Sequence, residues 1–274
     1  MAKVINMIFQ IKDFRDEVLE LHELIATMPD AAWTAPTGFK AWTVADIIQH
    51  LHHSDLMAQA SADGIEAFTA FRADMQQRHA RGLTNVQATR ERLGNPQGTE
   101  LLALWHHTAL ALCDRLAGIA PETRMPWAGP GMGLRMFATA RQMEIWSHGQ
   151  AIYDLLGIER PPAGPRLRNI AEIGVRTYGW TFRNRNQDPP GPQPEIRLEA
   201  ADGPWHWPGA GGTVSGDATQ FCQVVAQTRN IADTNLAAEG AAAQAWMALA
   251  QCFAGPPETP PAPGTRVRAA RRWA

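Results

Sequence analysis

The sequence predicts an α+β protein, with an N-terminal antiparallel four-helix bundle followed by a small α+β unit. Three observations predict it. Long segments before residue 157 repeat apolar side chains at spacings of three and four, the mark of helices with one buried face. The stretch from 195 to 256 instead reads as short strands separated by Gly and Pro. Hydrophobic residues make up 45% of the 274 and charged ones only 19%, enough apolar material for a packed core and too little charge for a solvated chain.

The first helix is expected from Met7 to about Met28, where Ile8, Ile11, Phe14, Val18, Leu21 and Ile25 keep the period. The Pro- and Trp-containing stretch PDAAWTAPTGFKAW interrupts it. Thr43 and Asp46 then form a capping-box-like start for a helix from Val44 to about Ala62, and a polar helix follows from Ile65 to about Arg81. After a break at 95–98, Leu101, Leu102, Trp105, Ala109, Leu112 and Leu116 mark a helix from Thr99 to near Gly118. The segment PETRMPWAGPGMG is too rich in Pro and Gly for a helix and is expected to be a surface loop. The fourth long helix runs from Leu134 to Leu156, with Gly157 as its stop.

A helix from Arg166 to about Arg183 leads into the linker NQDPPGPQP. EIRLEA, GPWHWP and GGTVSG read as strands, followed by a helix at 217–228, a short stretch near 235–238 and a last helix from Ala241 to Phe253. The organisation expected is therefore a helix bundle over 1–160, a connecting helix and linker over 161–194, a small α+β domain over 195–256 and a flexible basic tail over 257–274. The tail follows from PPETPPAP and the four Arg of TRVRAARRWA.

Composition excludes several function classes. With 25 Lys and Arg against 27 Asp and Glu, the chain lacks the basic excess that gathers nucleic-acid phosphates. Cys113, Cys222 and Cys252 are too far apart for a thiolate zinc motif and odd in number for a disulfide framework, which fits a reducing cytoplasm. The N-terminus carries Lys3, Lys12 and Asp13 within a short apolar run, so neither a signal peptide nor a membrane span is expected. The partners expected are small molecules, with no nucleic acid and no membrane. Oligomeric state stays open, a homodimer included, because a stripe that buries a partner helix has the same period as one that buries a second subunit.

The chemistry gathers on two helices. In ARQMEIWSHG, Glu144 and His148 stand four apart and project from one helical face. DIIQHLHHSD supplies His50, His52 and His53 on the helix that a bundle would set beside it. His50 is the best third ligand, because Asp46 lies one turn before it and is placed to accept from its second ring nitrogen. Two His and one Glu are a donor set for zinc with an open fourth position, although Ni or Fe(II) would accept it too. The bland reading is a solvated polar face, with His106 and His107 as competing donors. Arg141, three residues before Glu144, either lines the mouth of the site or pairs with a carboxylate. Trp33, Trp42, Trp127 and Trp146 are candidates for an aromatic wall, and Trp42 and Trp146 are the two assigned to cofactor binding; core packing is the commoner fate of Trp.

WTVADIIQH at 42–50 and ARQMEIWSHG at 140–149 together resemble the DinB-like metal-binding bundle, in its mycothiol-dependent maleylpyruvate isomerase branch. EIRLEAADGPWHWPG and VSGDATQFCQVVAQTRN resemble the sterol-carrier-protein-like C-terminal domain of that branch, so the likeness spans about residues 8–255. The resemblance implies metal ligation by His50, Glu144 and His148, and places an anion-holding Arg at Arg229. It also implies a low-molecular-weight thiol, mycothiol or glutathione, added to a small electrophile or transferred between molecules, with zinc holding the thiolate. QTRN stands where isomerase-like members read closer to a Gly-Arg pair, and Arg183-Asn184-Arg185 precedes the linker, so the chain resembles a sister group of the maleylpyruvate isomerases.

The function expected is a metal-binding enzyme, with zinc as the first candidate, that catalyses thiol-dependent addition, isomerisation or transfer on a small electrophile, anionic ones included. The competing expectations are a metal-dependent binding or sensing protein without turnover, and an apolar-ligand carrier whose metal is structural. A structural zinc normally takes four protein ligands, and three are found, which favours the enzyme.

Overall fold

The computed structural model describes residues 8–127, 129, 131–162 and 164–270. The N-terminal segment through Met7, Ala128, Pro130, Ala163 and the last four residues of the basic tail lie outside the described residues. The protein is α+β, as its patterning predicts, and divides into two compact units, one through Ile152 and one from Tyr153 onward.

The first unit is helical. α1 (Phe9–Ala26) buries Ile11, Phe14, Val18, Leu21 and Ile25, the stripe read from the sequence. α2 (Val44–Asp63) begins on a complete capping box: the Thr43 hydroxyl accepts from the Asp46 amide, and the Asp46 carboxylate accepts from the Thr43 amide. α3 (Ile65–Ala80) and α4 (Asn85–Leu93) follow. α4 was not expected, since its sequence is polar and only Ala88 and Thr89 are buried; Thr84 and Gln87 hold its start with a second capping box. α5 (Gly98–Ala117) packs on both α1 and α2. The expected loop after it carries a two-residue hairpin, β1 (Arg124–Met125) against β2 (Met132–Gly133), and leads into α6 (Leu134–Leu156), whose bounds are those predicted.

Side-chain pairs give the helix directions. His22 meets His106 while Arg15 meets Asp114, so α1 and α5 are antiparallel. His50 faces Glu144 and Asp55 faces Arg141, so α2 and α6 are antiparallel too. Gln49 bonds Pro96 while Asp63 reaches Arg115, so α2 and α5 run parallel. The bundle is thus up-down-down-up, because α3 and α4 return the chain to the starting end before α5 begins. No helix among the described residues is long and apolar enough to cross a membrane.

The second unit begins within the last turn of α6. Gly157, left-handed at φ 68, ends that helix. α7 (Leu167–Arg176) and α8 (Tyr178–Arg183) replace the single helix expected there; the break falls at Thr177, whose hydroxyl donates back to the Ile173 and Gly174 carbonyls. β3 (Glu195–Glu199), β4 (Trp205–Trp207) and β5 (Thr213–Asp217) are the three strands anticipated. After α9 (Ala218–Val225), β6 (Ala237–Glu239) completes a sheet of order β4-β3-β5-β6, in which β3 and β5 are parallel and the outer pairs antiparallel. α10 (Ala241–Met247) is shorter than the predicted 241–253, because the chain beyond it turns so that the Cys252 amide donates to Val225. Phe221, Trp246 and Tyr178 form the ring cluster at its core. α7 lies close on α9 because residue 174 is glycine: a Cβ there would come within 2.7 Å of Val225.

The flexible tail expected after residue 256 is a correction. Residues 257–270 are tied to the second unit: Glu258 accepts from Arg185 and Gln227, Pro261 from Asn230, and the Ala269 amide donates to the Asp154 carbonyl at 2.8 Å. Arg266 donates to Gln227 and Arg268 pairs with Glu159, so the described basic residues of the tail are anchored through polar contacts that composition does not reveal.

Candidate metal centre

The capping box fixes where α2 starts and so sets His50 two turns in, facing α6. On α6, Glu144 and His148 share a face by their spacing of four. Nε2 of His50 lies 3.6 Å from Oε2 of Glu144, and Nε2 of His148 lies 3.5 Å from the same oxygen. One donor atom from each of the three falls within 4.8 Å of the others, the one such group of three among the described residues. Their side chains are 31%, 26% and 12% exposed, so the cluster is partly reached by solvent.

These separations are long for hydrogen bonds and suit an ion. Tetrahedral ligation at zinc-like distances of about 2.1 Å places donors roughly 3.4 Å apart. The charge state suits it as well. Burial pushes the Glu144 carboxyl up, but the His148 and His50 rings beside it outweigh this and hold it well below the usual carboxylate range. Burial pushes His148 down, reinforced by the charge of His50 and opposed by Glu144. Both His148 and Glu144 are therefore deprotonated at neutral pH, as metal donors must be. His148 Nδ1 is buried with no hydrogen-bond partner.

The turn before α2 packs on these ligands. Trp42 lies parallel to the His148 ring at 6.1 Å and tilted against His50 at 5.4 Å, and Phe39 meets His148 edge-on at 4.9 Å. Phe39 had no signal in the sequence. Trp146 is 1% exposed in the core, Trp33 is buried, and Trp127 packs between Phe68 and Phe137.

Other predicted residues are placed elsewhere. Asp46 accepts from the Thr43 amide and hydroxyl and from the Arg90 guanidinium, so it is engaged by the helix cap and by α4 and not by His50. His52 and His53 turn into the protein; burial pushes them down to about 4 and about 3, and His53 lies against Phe71. His106 stacks on His22. Arg141 is 2% exposed and donates twice to Asp55, which also accepts from the Trp105 indole. In the second unit, Arg229 grips Asp154 through two hydrogen bonds of 2.6 and 2.7 Å. The three cysteines are buried and form no disulfide among the described residues, and burial pushes the Cys113 thiol up to about 12.

Residues 14–153 match the family model described as the mycothiol maleylpyruvate isomerase N-terminal domain, a segment that contains His50, Glu144, His148 and the turn against them. The chain belongs to this family. Relatives 35% identical over 250 residues are uncharacterized proteins from two strains of Mycobacterium tuberculosis, matched over 90% of this chain and 96% of each relative. The fold is also that of a crystal structure of a histidine-to-alanine mutant of mycothiol-dependent maleylpyruvate isomerase, with a TM-score of 0.50 at 15% identity, covering 79% of this chain and 87% of that one. This family member thus shares its fold with the isomerase while its sequence has moved far from it.

Proposed function

We propose that this chain is a zinc-dependent enzyme that adds or transfers a low-molecular-weight thiol, mycothiol or glutathione, on a small electrophile, isomerisation included. The observation that carries the proposal is the convergence of His50, Glu144 and His148 at ligand spacing on an open face of the bundle. Membership of a family described by a mycothiol-dependent isomerase supports the thiol.

Zinc, when bound, supplies a positive centre that lowers the pKa of a thiol or water beside it. The chain's own residues do the rest. Glu144 brings the negative charge and His148 a neutral ring, leaving a three-ligand set with a fourth position for an incoming group. The thiol comes from outside, since the protein's own cysteines are buried and Cys113 stays protonated. Arg229 would hold an acidic acceptor by exchanging the Asp154 carboxylate for that of the substrate, a swap its planar fork permits. Arg141 serves the bundle through Asp55. A reducing cytoplasm suits both the reduced cysteines and the cosubstrate.

Elemental analysis of the purified protein, followed by titration with mycothiol and glutathione while proton release is recorded, tests this reading. About one zinc per chain with release of a proton by one thiol is the expected result. Absence of stoichiometric metal after zinc is added back overturns it.

A further inference from the structure

Metal-binding histidines ordinarily donate their second ring N–H to a carboxylate or carbonyl, which fixes the tautomer and the plane of the ring. His148 breaks that pattern, because its Nδ1 is buried without a hydrogen-bond partner. What touches the ring is aromatic, with Phe39 edge-on at 4.9 Å and Trp42 parallel to it at 6.1 Å. Trp42 also leans on His50, so one indole contacts both imidazoles of the triplet.

These rings are delivered by strained backbone. Lys40 and Ala41, at φ 50 and φ 56, are consecutive non-glycine residues in the left-handed region, which L-residues adopt at a cost and almost always singly. The turn is over-determined around them. The Thr37 amide and hydroxyl both donate to the Trp42 carbonyl at 2.8 Å, the Trp42 amide donates to Phe39, and the Phe39 amide donates back to the Thr37 hydroxyl. Strain held so firmly beside a donor cluster is the kind that positions a site.

We infer that Phe39 and Trp42 form an aromatic clamp that positions His148 and His50 for the metal, in place of the missing hydrogen bond. They are positioning residues, acting through the imidazoles they pack on. Two left-handed residues fold the turn back so that the side chains on either side of it, Phe39 and Trp42, both reach His148. The proposal rests on the metal-centre reading above and adds to it where the geometry of that centre comes from.

The test uses full-length protein stripped of metal and titrated with zinc and with cobalt(II), whose visible absorption reports ligand geometry. His50→Ala serves as the control that lacks a ligand. Trp42→Ala and Phe39→Ala are expected to weaken zinc binding about 10- to 100-fold and to shift the cobalt spectrum, while Trp42→Phe restores most of both. Ala41→Gly adds a separate readout. It relieves the left-handed strain while the hydrogen bonds of the turn keep Phe39 and Trp42 in place, so its Tm is expected at or above wild type and its zinc affinity at the wild-type value. Wild-type affinity and spectrum in Trp42→Ala and Phe39→Ala would overturn the clamp and leave the metal centre intact. Failure of the wild-type protein to bind either metal would overturn both readings together.

Discussion

Two polar clusters join the same pair of helices, and they are built on opposite plans. Around Asp55 every strong group is satisfied: Arg141 donates twice to one carboxylate oxygen and Trp105 donates to the other, with the two charged side chains 0% and 2% exposed. One to two turns away, Glu144 faces two imidazoles at 3.5 and 3.6 Å, beyond good hydrogen-bond distance, on a partly exposed face. A closed cluster has nothing left to bind and holds the helices in register. An open one keeps its donors apart, with Glu144 and His148 deprotonated. The comparison separates an Arg whose hydrogen bonds are spent inside the bundle from a carboxylate proposed as a ligand.

Breaking the closed cluster should have the largest effect on stability. Asp55→Ala leaves a buried guanidinium without its counterion and is expected to destabilise by about 3–5 kcal/mol, measured by denaturant unfolding. The double variant Asp55→Leu with Arg141→Met should recover much of that loss, which would show that the pair fixes geometry more than it adds stability.

The next effect is acid lability from the buried His52 and His53. Their folded pKa values, pushed down to about 4 and about 3, lie below the unfolded value of about 6.5. Below that pH the unfolded chain takes up protons that the folded one refuses. Stability is therefore complete above pH 6.5 and falls as pH drops toward 4 and then 3, by up to a few kcal/mol. His53→Leu should flatten this acid limb in unfolding curves recorded at pH 7 and 4.5; an unchanged slope would mean the folded protein accommodates the proton.

Asp46 tests the cap. Asp46→Ala removes half of the capping box and the partner of Arg90, and should cost about 1–2 kcal/mol with zinc affinity unchanged. A large loss of zinc would restore Asp46 as a partner of His50.

The smallest stability effect belongs to the open cluster. Glu144→Ala should shift the unfolding midpoint of metal-free protein by less than about 1 kcal/mol yet remove most bound zinc, as should His148→Ala, whereas His52→Ala should retain the metal. Full zinc occupancy in Glu144→Ala would sink the ligand assignment.

Much of this was legible in the sequence, and the misreadings share a cause. Helix bounds were readable wherever a chemical signal ended them: Thr43 and Asp46 at the start of α2, Gly157 at the end of α6. Glu144 and His148 were legible because spacing of four is fixed by the helix itself. α4 was not legible, since a nine-residue polar helix has no stripe to read. Missing α4 meant missing Arg90, and without Arg90 the Asp46 carboxylate looked free to orient His50. Thr177 broke a helix by a side-chain bond to its own backbone, and the tail was anchored by carbonyls and amides, neither of which composition records. Phe39 escaped for a related reason, because a left-handed backbone at Lys40 and Ala41 has no sequence signal when neither is glycine.

The anchored tail has a consequence for how the chain is made. The Ala269 amide bonds the Asp154 carbonyl and Arg268 pairs with Glu159, so the second unit is closed by contacts more than a hundred residues apart. The described residues of the first unit all precede Tyr153 and can assemble as they emerge during synthesis, from the N-terminal end. The second must wait, its earliest residues exposed, until the ribosome has delivered residue 269, and then complete loops of high sequence separation. Translation therefore imposes an order of assembly, bundle first and closure last, and a stalled or shortened message would release a finished bundle with an unsealed second unit.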